Sequence, residues 1–431
     1  MYDFDVIVVG GGAAGFYGAI QIAEANRNLK VAILERGKQV LSKVRVSGGG
    51  RCNVTHAEFD PGALTKNYPR GEKELLGPFH THCTGDVVAF FEDRNVPLKI
   101  ESDGRMFPVS DTSASIIDCF LNETKNLGIQ LLKNSPVTDL KPLNNEEAGN
   151  EGGWRVFSAK KEYVAKKLLL TTGSNQKIWN ILSRLGHNII APVPSLFTFN
   201  IKDPRISGIQ GLSSHAAVEV VPRKLSKEIS ISLRSNAAKR RALTSEGPLL
   251  ITHWGMSGPA ILKLSAWGAR DLNAYEYKFK IRINWLPDYH RDGVLSHLQE
   301  IKAVEPKKTI LRTKAVEIPR RLWINLVQAS GISRDMQWAA ASAKDMERLT
   351  EQLTQSIFTV EGKSTFKEEF VTAGGVDLKE VNFKTFESKK HPHLYFAGEI
   401  INVDAITGGF NFQNAWTGAY IAAQAIASAF D

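Results

Sequence analysis

The sequence predicts an α/β protein: a parallel sheet with crossover helices, interrupted by an inserted antiparallel β domain and a small helical domain. Three observations carry the prediction. The first 35 residues alternate strand, helix and strand; the middle of the chain switches to period-two patterning; the closing stretch returns to a buried strand and a helix rich in small residues. The two ends must then meet in one domain, with residues 1–190 and 361–431 as its halves. Residues 191–286 form the inserted β domain and 287–360 the helical one.

Asp5 to Val9 (DVIVV) is a short, β-branched, almost wholly apolar run, as a strand covered on both faces requires. Ala13 to Asn26 carries Phe16, Ala19, Ile20 and Ala23 at helical spacing, and Leu29 to Leu34 is a second buried strand. Strand, helix and strand at this spacing make a βαβ unit, hence parallel pairing. Thr112 to Leu127 reads as an amphipathic helix with Asp111 or Thr112 as N-cap. A short strand near Gly128 to Leu132 follows, and the acidic stretch Asn144 to Gly153 reads as a loop tip. Trp154 to Ser158 and Tyr163 to Leu170 read as strands. From Pro192 to Trp285 the pattern is antiparallel β, clearest in Tyr275 to Trp285, where apolar and polar residues alternate over eleven positions. Helical periodicity returns from Asp288 to about Phe358; then Leu394 to Ala397 is a strand and Phe412 to Ala429 a helix.

Composition bounds the class. With 431 residues, 43% hydrophobic and 23% charged, the chain has ample apolar side chain for a core and is not of a disordered type. The net charge of +9 reads as spread along the chain without a basic tail, which speaks to solubility and anionic ligands. Three cysteines, Cys52, Cys83 and Cys119, are too few and too scattered for a disulfide framework or zinc site. No apolar run approaches the roughly 18 residues of a membrane span. The N-terminus carries Asp3 and Asp5 and no basic region, so no secretory signal is visible, and a soluble, cytoplasmic protein is expected.

Gly10-Gly11-Gly12-Ala13-Ala14-Gly15 fits G-x-G-x-x-G between a strand and a helix. Gly10 permits the tight turn, Gly12 lets backbone approach a pyrophosphate, and Gly15 lets helix and strand pack closely. The helix N-terminus then faces the phosphates. Glu35, ending the second strand, stands where such folds place a ribose acceptor. Lys43 to Thr55 (KVRVSGGGRCNVT) reads either as a second wall of the same anion site, bracketed by Arg45 and Arg51, or as a surface loop. Cys52 within it is either an inert small side chain or a redox thiol. Leu168 to Ser174 is a strand ending in a small-residue turn. Near the C-terminus, Gly398-Glu399, Asp404 and Thr407 to Ala415 place an acid and a glycine-rich turn before the last helix. Its N-terminus is suited to negative charge developing on a reduced ring.

Together these blocks resemble the BaiN-type NAD(P)/FAD-dependent oxidoreductases, which include aminoacetone-oxidase-like flavoproteins. The matching pieces are VVGGGAAG, VSGGGRCNVT, THWGMSGPAIL, VTAGGVDLKEV and YFAGEIINVDAITGGFNFQNAWTGAYIA, in family order across the chain. The resemblance implies a glutathione-reductase-like, Rossmann-like FAD-binding domain, with the inserted domains over the flavin. By position it implies that Gly10, Gly12, Ala14, Gly15, Glu35 and Arg36 hold the pyrophosphate and adenosine end. Ser47, Gly48, Arg51, Cys52 and Asn53 would line the flavin, Val137 the adenine, and Thr172 with Gly173 the dinucleotide. Gly398, Glu399, Asp404, Gly409, Asn411 and Gln413 would contact ribityl and ring. The usual Ala-Thr-Gly turn stands here as Thr171-Thr172-Gly173, and Glu399 occupies a position commonly aspartate.

The function expected is hydride transfer between NAD(P)H and a small organic substrate through non-covalent FAD. There is no C-x-x-C for a cysteine relay, and no second G-x-G-x-x-G for a dedicated nicotinamide domain. Catalytic side chains stay open, with His253, Asn411 and Gln413 as candidates; His253 would orient substrate or serve structure. The rivals are an oxygen-using oxidase of a small amine, a nucleic-acid-associated flavoprotein and a flavin carrier without enzymatic activity. The nucleic-acid reading draws on Lys239-Arg240-Arg241, Arg320-Arg321 and the basic face of Tyr275 to Trp285, runs that are ordinarily solvated faces.

Overall fold

The structure, a computed structural model, describes residues 2–143, 152–159, 161–222, 243–364 and 371–430. Most of the Asn144 to Gly153 stretch and the Lys239-Arg240-Arg241 run lie outside the described residues. The chain divides into two compact units: Met1–Pro194 with Lys367–Asp431, and Ser195–Phe366.

The first unit is built on β1 (Phe4–Val9), β2 (Val31–Leu34), β3 (Gln130–Leu132), β6 (Glu162–Leu170) and β7 (Leu394–Phe396). They lie in the order β3-β2-β1-β6-β7, every pair parallel. Val6, Ile7 and Val8 are wholly buried, as the apolar run requires of a strand covered on both faces. The strands β4 (Val137–Pro142) and β5 (Trp154–Ser158) form an antiparallel meander leading into β6. Between β1 and β2 runs α1 (Ala13–Ala25), and the closing helix α5 (Phe410–Ser428) packs beside it. Small residues set that spacing: a Cβ on Gly18 would stand 2.8 Å from Leu169 and 3.5 Å from Ala419. The remaining helices used below are α2 (Ser42–Gly50), α3 (Ala114–Asn126) and α4 (Gln176–Arg184). The N-cap of α3 is Ser113 instead of Asp111 or Thr112, while Thr112 Oγ1 accepts the Ala114 N–H.

The second unit holds a seven-stranded antiparallel sheet. Its order is Ser356–Val360, Phe279–Asn284, Ser213–Val221, Thr244–Ile251, Gly255–Ser257, Thr198–Asn200 and Gly362–Ser364. Helices Arg291–Val304, Arg320–Ala329 and Ala343–Thr354 contribute Leu298, Leu322, Leu326 and Leu349 to the same core as Ile281, Ile283 and Trp285. The stretches 191–286 and 287–360 therefore fall together around one core. The expected eleven-residue strand is also shorter. Tyr275 N–H bonds the Asp271 carbonyl (3.0 Å) at the end of helix Ala269–Ala274, and Glu276 and Tyr277 take positive φ, so only Phe279–Asn284 is extended. Alternation over Tyr275 to Lys278 arises from a helix end followed by a left-handed turn. Among the described residues, no helix is long and apolar enough to cross a membrane.

Candidate functional site

Parallel pairing aligns the carboxyl ends of β2, β1, β6 and β7, the edge where such sheets bind ligands. Thr171 N–H bonds the Val9 carbonyl (2.9 Å) and Ala397 N–H the Leu170 carbonyl (3.1 Å), so three turns sit side by side: Gly10–Gly12, Thr171–Gly173 and Gly398–Glu399. Thr171 Oγ1 ties two of them by donating toward the Val9 and Gly10 carbonyls (3.0 and 2.9 Å).

Each glycine of the fingerprint has a distinct reason. Gly10 has φ +113°, and a Cβ there would stand 2.7 Å from the Thr171 carbonyl oxygen. A Cβ on Gly15 would overlap the Gly10 carbonyl. A Cβ on Gly12 would meet nothing within 4 Å, and Gly12 has ordinary extended backbone. Packing accounts for glycine at 10 and 15 but leaves the space beside Gly12 open. Gly12 caps α1 without any side-chain hydrogen bond and with no acid in the first turn, leaving those N–H groups for an anion.

Glu35 follows β2 and accepts from Gly11 N–H (2.9 Å) and Gly37 N–H (2.7 Å), which fixes its carboxylate beside the cradle. Arg36 is exposed. Asn134 and Ser135 N–H groups bond the Gly37 and Glu35 carbonyls, which brings half-buried Val137 into this neighbourhood. The Thr172 Oγ1 is buried with no protein partner. Gly173 stands near Glu399, its Cβ position 3.7 Å from Oε2, and Glu399 is ion-paired with Lys43. The Cβ position of Gly398 lies 3.4 Å from Ala14 and 3.7 Å from Ala415, so the N-terminal parts of α1 and α5 meet at this turn.

The glycine-rich second wall is the kinked end of α2: Ser47 is extended, and Gly48, Gly49 and Gly50 take φ of +57°, +70° and +88°. Arg51 is held by Glu101 (2.5 Å) and Asp111 (3.4 Å) and lies 3.9 Å over the Phe107 ring, so its charge is committed within the protein. Cys52 is wholly buried, and burial pushes its thiol up to about 12, against a lowering hydrogen bond with Ser47. With its side-chain amide oriented to satisfy its neighbours, Asn53 donates to the Met106 and Thr55 carbonyls (3.2 and 3.0 Å) and accepts from Gly409 N–H (3.0 Å).

Other residues of the C-terminal block are also internally engaged. The wholly buried Asp404 pairs with Arg70 through both carboxylate oxygens. Asn411 closes the turn by accepting from Ala405 N–H (2.9 Å) and donating to the Ala405 carbonyl (3.1 Å). Gln413 is wholly buried, accepting from Thr55 Oγ1 (2.5 Å) and donating to Thr417 Oγ1 (3.1 Å). Gly409 has φ +97°, and a Cβ there would overlap Thr55. His253 belongs to the second unit, where it is exposed on a turn. The sequence did not announce the pairings of Lys43 and Arg70 or the tie that Thr171 Oγ1 makes between two turns. The partners of the first two lie more than 300 positions away, and no local pattern announces them.

The arrangement fits a dinucleotide. The open Gly12 face, the uncapped α1 and the orphaned Thr172 hydroxyl line one edge, and each lacks a partner that phosphates and ribityl hydroxyls supply.

Comparison with known proteins gives the class. Residues 4–425 match the family described as HI0933-like protein Rossmann domain, and the chain belongs to it. This is a family of FAD-dependent oxidoreductases, related to the BaiN-type proteins that the motifs resemble. The chain is 28% identical to the ribosomal RNA dihydrouridine synthase of Escherichia coli (strain K12), over 100% of this chain and 99% of that one. It is 27% identical to the 3-dehydro-bile acid delta(4,6)-reductase of Clostridium scindens, over 97% and 98%. Among solved structures, the 3-ketosteroid-delta4-(5alpha)-dehydrogenase of Rhodococcus jostii RHA1 shares the fold, with TM-score 0.50 and 12% identity over 99% and 98% of the two chains.

Proposed function

We propose that the protein reduces a carbon–carbon double bond conjugated to a carbonyl, with NAD(P)H as electron donor and FAD as carrier, and that the bond is the C5=C6 of a uracil ring in ribosomal RNA. One observation carries the reaction class. Two relatives that match the chain end to end, at 28% and 27% identity, are named for different substrates but for one kind of bond. Dihydrouridine is uridine with two hydrogens added across C5=C6, which is conjugated to the C4 carbonyl. A 3-dehydro steroid with delta(4,6) unsaturation presents double bonds conjugated to its C3 carbonyl. Each needs hydride at the carbon remote from the carbonyl and a proton at the nearer one. Uracil is favoured by the relative spanning 100% of the chain and by a net charge of +9, which an RNA backbone complements. A free enone is the second reading, favoured by the bile-acid relative.

When bound, FAD supplies the hydride. The first-turn N–H groups of α1 and the open Gly12 face would hold its pyrophosphate, Glu35 its ribose hydroxyls, and Thr172 Oγ1 a further oxygen. The N-terminus of α5, uncapped by any side chain, would stabilise negative charge on the ring system. Cys52 takes no part, because its thiol stays protonated and enclosed.

The test incubates holoprotein and NADPH or NADH with unmodified transcribed ribosomal RNA and digests the product to nucleosides for mass spectrometry. Dihydrouridine is expected. Donor consumption yielding only hydrogen peroxide contradicts the reading, and reduction of a free enone but not RNA selects the second.

A further inference from the structure

The division into units locates the charge that the whole-chain reading took to be spread. Residues 195–366 hold 26 Lys and Arg against 16 Asp and Glu, a balance of +10, whereas the rest of the chain holds 28 against 29. Omitting 223–242, which lie outside the described residues, the second unit still holds 19 against 15. The unit with the pyrophosphate cradle is thus nearly neutral, and the excess cation sits where no dinucleotide fingerprint lies. A net cationic balance in one unit favours a polyanion as its partner.

The same unit presents an aromatic platform. Trp254 is 60% exposed, at the tip of the turn joining strands Thr244–Ile251 and Gly255–Ser257. The turn is held firmly. Thr252 N–H bonds the Gly255 carbonyl (2.8 Å), Thr252 Oγ1 accepts from Trp254 and Gly255 N–H (3.3 and 3.2 Å), and Ile201 N–H bonds the Trp254 carbonyl (2.9 Å). Gly255 has φ +147°, and a Cβ there would overlap the Phe199 carbonyl. An indole held on a rigid tip offers a flat face on which a base can stack with little ordering cost.

One cation adjoins the tip, and a second lies farther along, beside the same stretch of chain. Lys202 follows Ile201 directly and is exposed, and its neighbour Asp203 is engaged by Arg205 (2.6 Å). Helix Arg320–Ala329 borders the same stretch, because the Asn325 amide donates to the Arg205 carbonyl (3.0 Å). Exposed Arg321 lies one turn before Asn325 on that helix face. Indole beside spaced cations suits a single-stranded nucleic acid, in which a base stacks on the ring and phosphates meet the charges.

We propose that the second unit is the RNA-docking surface, with Trp254 stacking on an unpaired base and Lys202 and Arg321 contacting the flanking backbone. This rests on the uracil reading. The test measures binding of a fluorescein-labelled single-stranded oligouridine to holoprotein across a salt series. Trp254→Ala is expected to weaken binding at least about tenfold, with Trp254→Phe recovering most of the loss. Lys202→Glu with Arg321→Glu is expected to lower the slope of log K against log salt by about 1–2. Bound FAD and its reduction by NAD(P)H are expected to be unchanged in every variant. If the parent binds oligouridine but the variants bind equally well, docking lies elsewhere, and this proposal falls while the uracil reading stands. A parent that binds no RNA overturns the uracil reading and this surface with it. Tighter binding to phosphatidylserine vesicles than to oligouridine marks a lipid surface and overturns the proposal.

Discussion

Replacing Gly12 by valine separates what the fold needs from what the cofactor needs. The backbone at Gly12 has φ −98°, available to any residue, and a Cβ there meets nothing within 4 Å. Losing an N-cap glycine costs about 0.5–1.5 kcal/mol. Restricting the unfolded chain returns about 0.4–1 kcal/mol. Apo-protein stability should therefore change by less than about 1 kcal/mol. FAD binding should not survive, because the side chain projects into the space through which the pyrophosphate reaches the N–H groups of α1. Losing two charge-assisted hydrogen bonds at about 1.5–3 kcal/mol each costs about 3–6 kcal/mol, a factor of roughly 100 or more in affinity. Fluorescence titration of flavin-free protein gives the affinity, and urea unfolding of the same protein gives the stability. Gly15→Val serves as contrast, because its Cβ would overlap the Gly10 carbonyl and the fold itself should fail. A Gly12→Val protein that retains full FAD, or one that cannot fold without it, refutes the assignment.

Other perturbations have defined outcomes. Cys52→Ser should keep its flavin and turn over within tenfold of the parent, since a thiol raised to about 12 supplies no thiolate; a hundredfold loss in stopped-flow reduction with FAD bound would restore a sulfur relay. Asp404→Ala should destabilise by on the order of 3–5 kcal/mol, because it removes a wholly buried carboxylate that pairs with Arg70; urea unfolding showing under 1 kcal/mol contradicts this. His82 is buried, bonded to the Tyr17 hydroxyl (2.9 Å) and stacked on Tyr420 at 4.1 Å, and burial lowers its imidazole to about 4. The unfolded chain takes up that proton near 6.5. Stability is then full above about pH 6.5 and falls as pH drops toward 4, by on the order of 2–3 kcal/mol between pH 7.5 and 4.5. The pH sensitivity of unfolding in His82→Gln should be smaller by that amount, and identical curves would show that His82 is not the titrating group.

The nucleotide fold was legible because its signals are local. The run before Gly10, the helical spacing after it and Glu35 all fall within one βαβ unit. The three turns at the sheet edge were readable as strand ends with small residues. What local pattern could not show was which polar groups the protein consumes internally. Arg51 reads as a free anion-binding charge until Glu101, Asp111 and Phe107 fold onto it. Nor does local pattern show that Gln413 accepts from Thr55, more than 350 positions earlier. The joining of sheet and helices in the inserted region was hidden for a related reason: strands Ser356–Val360 and Gly362–Ser364 complete a sheet begun some 150 positions earlier, across the helices. Period two over Tyr275 to Lys278 misled because a left-handed turn can alternate as a strand does.

Electrons are expected to enter from NAD(P)H and leave to a uracil double bond. Anaerobic spectrophotometry of the holoprotein tests both halves in one cuvette. NADPH or NADH should bleach the flavin band near 450 nm, and unmodified ribosomal RNA, added after the donor is exhausted, should restore it with dihydrouridine formed in proportion. A flavin that neither nicotinamide bleaches, or a reduced flavin that RNA leaves bleached while oxygen or a simple enone recovers it, would rule out this electron path.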